Sequence, residues 1–70
     1  MFLYLTAHTP VGVFTGTLNR DSAQKDDLAA ARDALQTSTP TYIVIFKDDT
    51  EIYLAGDTIK NSVIVYEIRP

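Results

Sequence analysis

Three carboxylates stand within four residues of one another in the stretch Asp48-Asp49-Thr50-Glu51. Carboxylate oxygens are the ligands that divalent cations such as Ca²⁺ prefer. The stretch lacks the ligand spacing and the glycine of a calcium loop, however, and Asp-Asp-Thr is common in tight hairpin turns. We therefore interpret these residues as a turn and predict no metal site.

His8 is the single histidine of the chain and the residue type most often used as a general base. No nucleophile with an orienting third group can be argued beside it, and it falls at the end of a predicted strand. The stretch Gly12–Thr17 is superficially similar to a phosphate loop, but it lacks the required lysine and following helix. We expect no catalytic residue, no cofactor and no enzymatic activity.

The composition is that of one soluble globular domain, residues 1–70, with 46% hydrophobic residues and no cysteine. The net charge of −3 and six scattered Lys and Arg residues disfavour nucleic-acid binding. No apolar run reaches membrane-spanning length, and the first residues lack the features of a signal peptide. These features, together with the absence of cysteine, predict a cytoplasmic protein.

Hydrophobic periodicity predicts five strands and one helix. The helix has a cap at Asp21 or Ser22 and an apolar stripe of Leu28, Ala31 and Leu35. The strands cover residues 2–8, 11–18, 41–47, 51–55 and 62–68, and the helix covers 23–37. The order β-β-α-β-β-β predicts an α+β fold: a mostly antiparallel four- to five-stranded sheet with one helix on one face.

The strand Thr41–Lys47 holds five consecutive apolar residues, which is typical of a central strand buried on both faces. One helix can cover only one face of the sheet, so the apolar residues of the other face need a partner. Small domains without disulfides or metals often gain stability from a second subunit. We therefore expect a homodimer or higher oligomer, with an interface built from Tyr42, Val44, Phe46 and Tyr66.

Exposed tyrosines beside charged residues are typical of protein contact sites. Tyr53, Glu51 and Tyr4 are the predicted contacts for a partner protein, and the acidic helix residues Asp26 and Asp33 come second. A different hypothesis uses hydroxyl groups to bind a small ligand in a pocket between subunits. That pocket would be lined by Thr15, Thr17 and His8.

The segment from Glu51 to Ile64 combines a strand, a turn at Gly56 and the run Lys60-Asn61-Ser62-Val63-Ile64. It resembles the C-terminal hairpin of small accessory proteins carried by bacteriophages. The resemblance implies a protein that binds and blocks a host factor or sequesters a defence signal. It names no site residue.

The leading hypothesis is a small, non-enzymatic, phage-derived binding protein that assembles through its sheet and inhibits or modulates a host protein. The second is a protein that sequesters a nucleotide-like signal between subunits. The third is a structural or assembly subunit.

Overall fold

The computed structural model describes all residues from 1 to 70. Its elements are β1 (Phe2–Thr9), β2 (Gly12–Thr17), α1 (Lys25–Thr37), β3 (Tyr42–Lys47), β4 (Thr50–Ala55), α2 (Gly56–Lys60) and β5 (Val63–Arg69). The strands form one antiparallel sheet in the order β4-β3-β2-β1-β5. The predicted α+β class, the five strands and the antiparallel pairing are confirmed.

The sheet consists of two parts that are joined at one residue pair. β1 pairs along its length with β2 and β5, and β3 pairs along its length with β4. β2 and β3 share only the pair Thr17 and Phe46. A side chain at Gly16 would come within 2.8 Å of the Phe46 carbonyl oxygen, so glycine permits the close approach at this junction.

β3 differs from the prediction of a central strand buried on both faces. It lies second from one edge of the sheet and alternates, with Ile43 and Ile45 buried and Tyr42 exposed. Apolar residues at every position suggested two covered faces, but no element packs over Tyr42, Val44 and Phe46. The unbroken apolar run therefore places apolar side chains on both faces of the sheet, of which only one is covered.

The segment between β2 and α1 is tied to the first strand by Asn19. Its side-chain oxygen accepts a hydrogen bond from the Leu3 backbone N–H at 2.9 Å. Its amide nitrogen donates to the carbonyl oxygens of Met1 at 3.1 Å and Asp21 at 2.7 Å. One side chain therefore fixes the path of the chain as it leaves the sheet for the helix.

The helix α1 begins later than the sequence indicated. Its first residue is Lys25, its N-cap is Gln24, and no side chain caps it. The predicted cap residues Asp21 and Ser22 lie before the helix, where Ser22 Oγ accepts a hydrogen bond from the Met1 amino group at 2.5 Å. The prediction of a capping side chain was wrong: the helix begins three residues after Ser22, whose hydroxyl is bonded to the Met1 amino group instead.

The apolar stripe of α1 is also narrower than expected. Leu28 is the one buried residue of the helix, and Leu35 is half-buried against the core. Ala31 is exposed, whereas Arg32 is half-buried. The helix lies against β1 and β5, and its least exposed residues are Leu28, Ala29, Arg32 and Leu35.

One hydrophobic core unites both parts of the sheet. Its fully buried members come from β1, β3 and β4, and Ile59 of α2 packs against them. The short helix α2 lies where the sequence predicted a turn at Gly56, and it contacts β1, β3 and β4. The buried cluster consists of Leu5, Ala7, Ile43, Ile45 and Leu54.

Candidate functional site

Both helices pack on one face of the sheet, and the other face is uncovered. We call this second surface the open face. By strand register it comprises Phe2, Tyr4, Thr6, His8, Val13, Thr15, Thr17, Tyr42, Val44, Phe46, Glu51, Tyr53, Ala55, Val63, Val65, Glu67 and Arg69. Five of the six large hydrophobic residues that are exposed lie here: Val13, Tyr42, Tyr53, Val63 and Val65. The sixth, Val11, sits in the β1–β2 turn.

The register aligns one row of side chains across all five strands. Thr17 of β2 is opposite Phe46 of β3 on one side and Tyr4 of β1 on the other. Phe46 is in turn opposite Glu51 of β4, and Tyr4 is opposite Glu67 of β5. The row therefore has a threonine at its centre, an aromatic ring on each side and a glutamate at each sheet edge.

An arginine lies over each of the two aromatic rings. The Arg20 guanidinium carbon is 4.5 Å from the Phe46 ring centroid, and Arg20 also forms an ion pair with Glu51. The Arg69 guanidinium carbon is 4.0 Å from the centroid of Tyr4. Arg69 Nε is 3.2 Å from Glu67 Oε2. Each half of the row thus carries an arginine that is held by a ring and a carboxylate.

An aromatic pair forms the β3–β4 end of the open face. The rings of Tyr42 and Tyr53 stack with centroids 5.1 Å apart and an interplanar angle of 18°. Both side chains are more than half exposed, at 53% and 63%. Val44 is opposite Tyr53 in the register and half-buried, so the tyrosines and Val44 make a continuous apolar surface.

The structure brings together most of the residues that the sequence proposed for protein contact. Tyr53, Glu51 and Tyr4 all lie on the open face. Asp26 and Asp33 do not join them, because they are exposed on α1, which packs against the other face. The acidic helix residues therefore belong to a separate surface.

Three of the four proposed oligomer residues also lie on the open face: Tyr42, Val44 and Phe46. Tyr66 is the exception, because it does not lie on the open face. It is opposite Leu5 in the register and packs against the buried core, on the helix-covered face. Burial raises the pKa of the Tyr66 phenol above its ordinary value of 10.0.

The proposed ligand residues are only partly gathered. A cleft of about 320 Å³ is lined by Thr15 and Thr17 together with Tyr4 and Phe46, next to the junction of β2 and β3. Thr15 Oγ1 donates to Thr6 Oγ1 at 3.4 Å. His8 does not line this cleft, since it is exposed near the other end of β1, opposite Val13 and Val63.

The acidic stretch between β3 and β4 forms a hairpin turn, in which Asp48 has a positive φ of 54°. Glu51 points to Arg20 rather than to the turn carboxylates. The structure contains no group of three or more His, Asp or Glu side chains arranged to hold a metal ion.

The arginines of the open face were missed from the sequence. Arg69 had a weak signal, because Glu67 stands two residues before it, on the same face of a strand. The sequence contains no such signal for Arg20, because its partners Phe46 and Glu51 lie 26 and 31 residues further along the chain.

Neither helix is of sufficient length and hydrophobicity to span a bilayer. No protein-family model, no curated protein and no solved structure matches the chain.

Proposed function

We propose that the chain is a small, non-enzymatic binding protein whose open face is its contact surface. The observation that supports this proposal most directly is the concentration of exposed large hydrophobic residues on that face. An apolar surface rimmed by charged groups is typical of protein–protein contacts, and stacked tyrosines and arginines are enriched at their energetic centres. The protein assembles through this face, as the sequence predicts.

The cellular role that we propose is inhibition or modulation of a host protein in the bacterial cytoplasm by a phage-derived protein. The resemblance of the Glu51–Ile64 segment to phage accessory proteins supports it. The same segment supplies Glu51 and Tyr53 to the open face. Self-association and host-protein contact use one surface, so they compete with each other.

Affinity capture from bacterial lysate with two matched variants tests this function. The face variant combines Tyr53→Ala with Glu51→Lys, and the control combines Val11→Ala, in the β1–β2 turn, with Asp57→Lys on α2. Both variants remove an exposed apolar side chain and reverse one charge. We expect the wild type and the control to capture the same protein and the face variant to lose it. Equal capture by all three would contradict the proposal.

A second function, sequestration of a nucleotide-like signal, is favoured by the cleft beside Thr15 and Thr17. A ligand that binds only the folded state raises the melting temperature, and at 100 times its Kd it adds about 2.7 kcal/mol of stability. Thermal melts with nucleotides, using wild type and the double variant Thr15→Val and Thr17→Val, test it. A shift that the variant loses would support sequestration, and no shift with any nucleotide would exclude that ligand class.

A further inference from the structure

We infer that the outer edge of β5, the side of Val63–Arg69 that faces away from β1, is a docking site for an extended segment of another protein. The segment pairs with β5 as a sixth strand of the sheet. This edge is a different surface from the open face, so the inference goes beyond the proposed function. Three properties of β5 carry it: its unpaired backbone groups, the incomplete burial of its inward side chains and the absence of any feature that blocks strand pairing.

The backbone of β1 shows which groups of β5 are already used. The carbonyl oxygen of Leu3 accepts a hydrogen bond from the Leu18 N–H at 2.9 Å, and the Leu3 N–H donates to Asn19, so the Leu3 backbone points towards β2. Backbone groups of successive residues alternate between the two sides of a strand. The residues of β1 on either side of Leu3, and every second residue from there, therefore bond to β5. By register their partners are Val63, Val65, Glu67 and Arg69.

The residues between these partners present their backbone outwards. The N–H and C=O groups of Ile64, Tyr66 and Ile68 face away from β1, and no hydrogen bond within the chain uses them. They recur at every second residue, roughly 7 Å apart. The backbone of another extended chain supplies acceptors and donors at this same spacing. This pattern selects a polypeptide strand as the occupant.

The inward side chains of β5 lack a neighbour on their outer side. Ile64, Tyr66 and Ile68 point to the helix-covered face, yet each is only half-buried. The residues opposite them in β1, one strand further into the sheet, are 0% exposed: Ala7, Leu5 and Leu3. An apolar side chain on an added strand would cover the three β5 residues from outside, so the occupant has apolar residues at every second position.

The opposite edge of the sheet has less to gain from a further strand. Leu54 of β4 is already 4% exposed, and α2 packs against β4. The two edges therefore differ, and β5 is the one whose apolar side chains are left incomplete.

Nothing within β5 prevents strand addition. Proteins usually protect an edge strand by a proline, a lysine, a bulge or a very short length. Val63–Arg69 contains neither proline nor lysine, and its register with β1 runs without interruption over seven residues. Its two charged residues, Glu67 and Arg69, lie on the open face and pair with each other at 3.2 Å. Opposite charges across an antiparallel pair are stabilising, so the occupant places a base opposite Glu67 and an acid opposite Arg69.

Titration with a synthetic peptide tests the inference. The peptide Glu-Val-Lys-Val-Thr-Ile-Thr, blocked at both ends, is designed to run antiparallel to β5 with its glutamate opposite Arg69 and its lysine opposite Glu67. We expect the amide protons of Ile64, Tyr66 and Ile68 to exchange rapidly in the free chain and to gain protection when the peptide binds, as NMR measures. The amides that already bond to β1 should be protected throughout.

Two N-methylated forms of the peptide are matched controls. Methyl groups on the fourth and sixth backbone nitrogens replace N–H groups that would bond to β5, and they should weaken binding at least ~10-fold. Methyl groups on the third and fifth nitrogens face away from β5 and should leave binding close to that of the parent peptide.

A variant of the chain tests the same contact from the other side. Ile64→Pro removes one outward N–H and no bond to β1, and proline is tolerated in an edge strand where its nitrogen faces solvent. Ile64→Ala also truncates the side chain but retains the N–H. The proline variant should bind the peptide at least ~10-fold more weakly than the alanine variant. Circular dichroism checks that both are folded, and the N-methylated peptides decide the question on the wild type if the proline variant is not.

Three results would overturn the inference. They are the absence of saturable binding up to the solubility limit of the peptide, equal weakening by the two N-methylated forms, and edge protection that grows with chain concentration when no peptide is present. The third result would place a second copy at this edge.

The test is independent of the proposed function. The variant with Tyr53→Ala and Glu51→Lys changes the open face and leaves β5 intact, so it should bind the peptide as wild type does. Failure of the lysate capture would therefore count against the role of the open face, whereas failure of the peptide titration would count against the β5 edge.

Discussion

Tyr42 and Tyr53 stack on each other across the β3–β4 pair, with ring centroids 5.1 Å apart. They are diagonal neighbours, since Tyr53 is opposite Val44 and Tyr42 is opposite Ala55. Each ring restricts the other while both remain more than half exposed. The pair is therefore ordered without a partner, which would lower the entropy lost if the open face binds one as proposed.

Replacing one ring should affect association more than folding. For Tyr42→Ala we expect the free energy of unfolding to fall by about 0.5–1.5 kcal/mol, the typical value of an aromatic pair. Association should weaken by ~30-fold or more, because loss of a contact hot spot costs at least about 2 kcal/mol. Urea denaturation and light scattering over a concentration series measure the two effects. The control Tyr42→Phe should preserve both the free energy of unfolding and the strength of association. Unchanged association of the alanine variant would count against the tyrosine pair as a contact.

Asn19 should be the polar side chain on which folding depends most. In Asn19→Ala the buried backbone N–H of Leu3 loses its acceptor, at a cost of about 1–3 kcal/mol. Asn61 is a matched control, because its amide also donates to a backbone carbonyl, that of Asp57, but at an exposed position. Asn61→Ala should cost less than about 0.5 kcal/mol. Equal losses in the two variants, measured by urea denaturation, would contradict the role given to Asn19.

Gly16→Ala should strain the junction of the two sheet parts. The new methyl group would lie 2.8 Å from the Phe46 carbonyl oxygen and 3.2 Å from Ile45 Cβ. Such overpacking costs about 1–3 kcal/mol. Hydrogen exchange should accelerate first in β3 and β4, which are joined to β2 at one pair only. The control Thr15→Ser, at the preceding residue of β2, should leave the free energy of unfolding and the hydrogen-exchange rates close to wild type. A Gly16→Ala variant as stable as wild type would show that the backbone at the junction can shift to accommodate a methyl group.

Tyr66 should make the folded state sensitive to high pH. Burial raises the pKa of its phenol above 10.0, so the folded protein retains this proton at a pH where the unfolded chain releases it. Stability should therefore fall as the pH rises from about 10 through the folded-state pKa. Tyr66→Phe removes this contribution, and its unfolding free energy should decline less steeply over the same range. Parallel pH profiles of the two proteins would exclude a contribution from Tyr66.

Much of the fold followed from local patterns. Alternating residues in β4 identified the buried side of that strand, because the side-chain period of a strand is two. Tyr53 and Glu51 are exposed as expected. The open face was therefore foreseeable as a surface.

The organisation within that face was not foreseeable. The central row depends on the register of β2 against β3, and those strands are connected through α1 rather than by a tight turn. The place of Tyr66 was ambiguous because β5 is apolar on both faces, and only its register with β1 puts Tyr66 beside Leu5. The position of Arg20 over Phe46 likewise depends on long-range pairing.

The charges are divided unequally between the two sides of the sheet. Glu51, Glu67, Arg20 and Arg69 lie at the open face, which is formally neutral, so the rest of the chain holds the entire net charge of −3. A subunit with complementary contact surfaces on two different sides can assemble into open-ended filaments. An isologous contact, in which both copies use the same surface, is complete once two copies have met. If two copies pair through their open faces, as the proposed function implies, the neutral sides cover each other and only the two helix-bearing sides face the solvent. Those sides together have a formal charge of −6, twice the −3 of one chain. Growth should stop at two copies, and mutual repulsion should keep the pairs apart in solution.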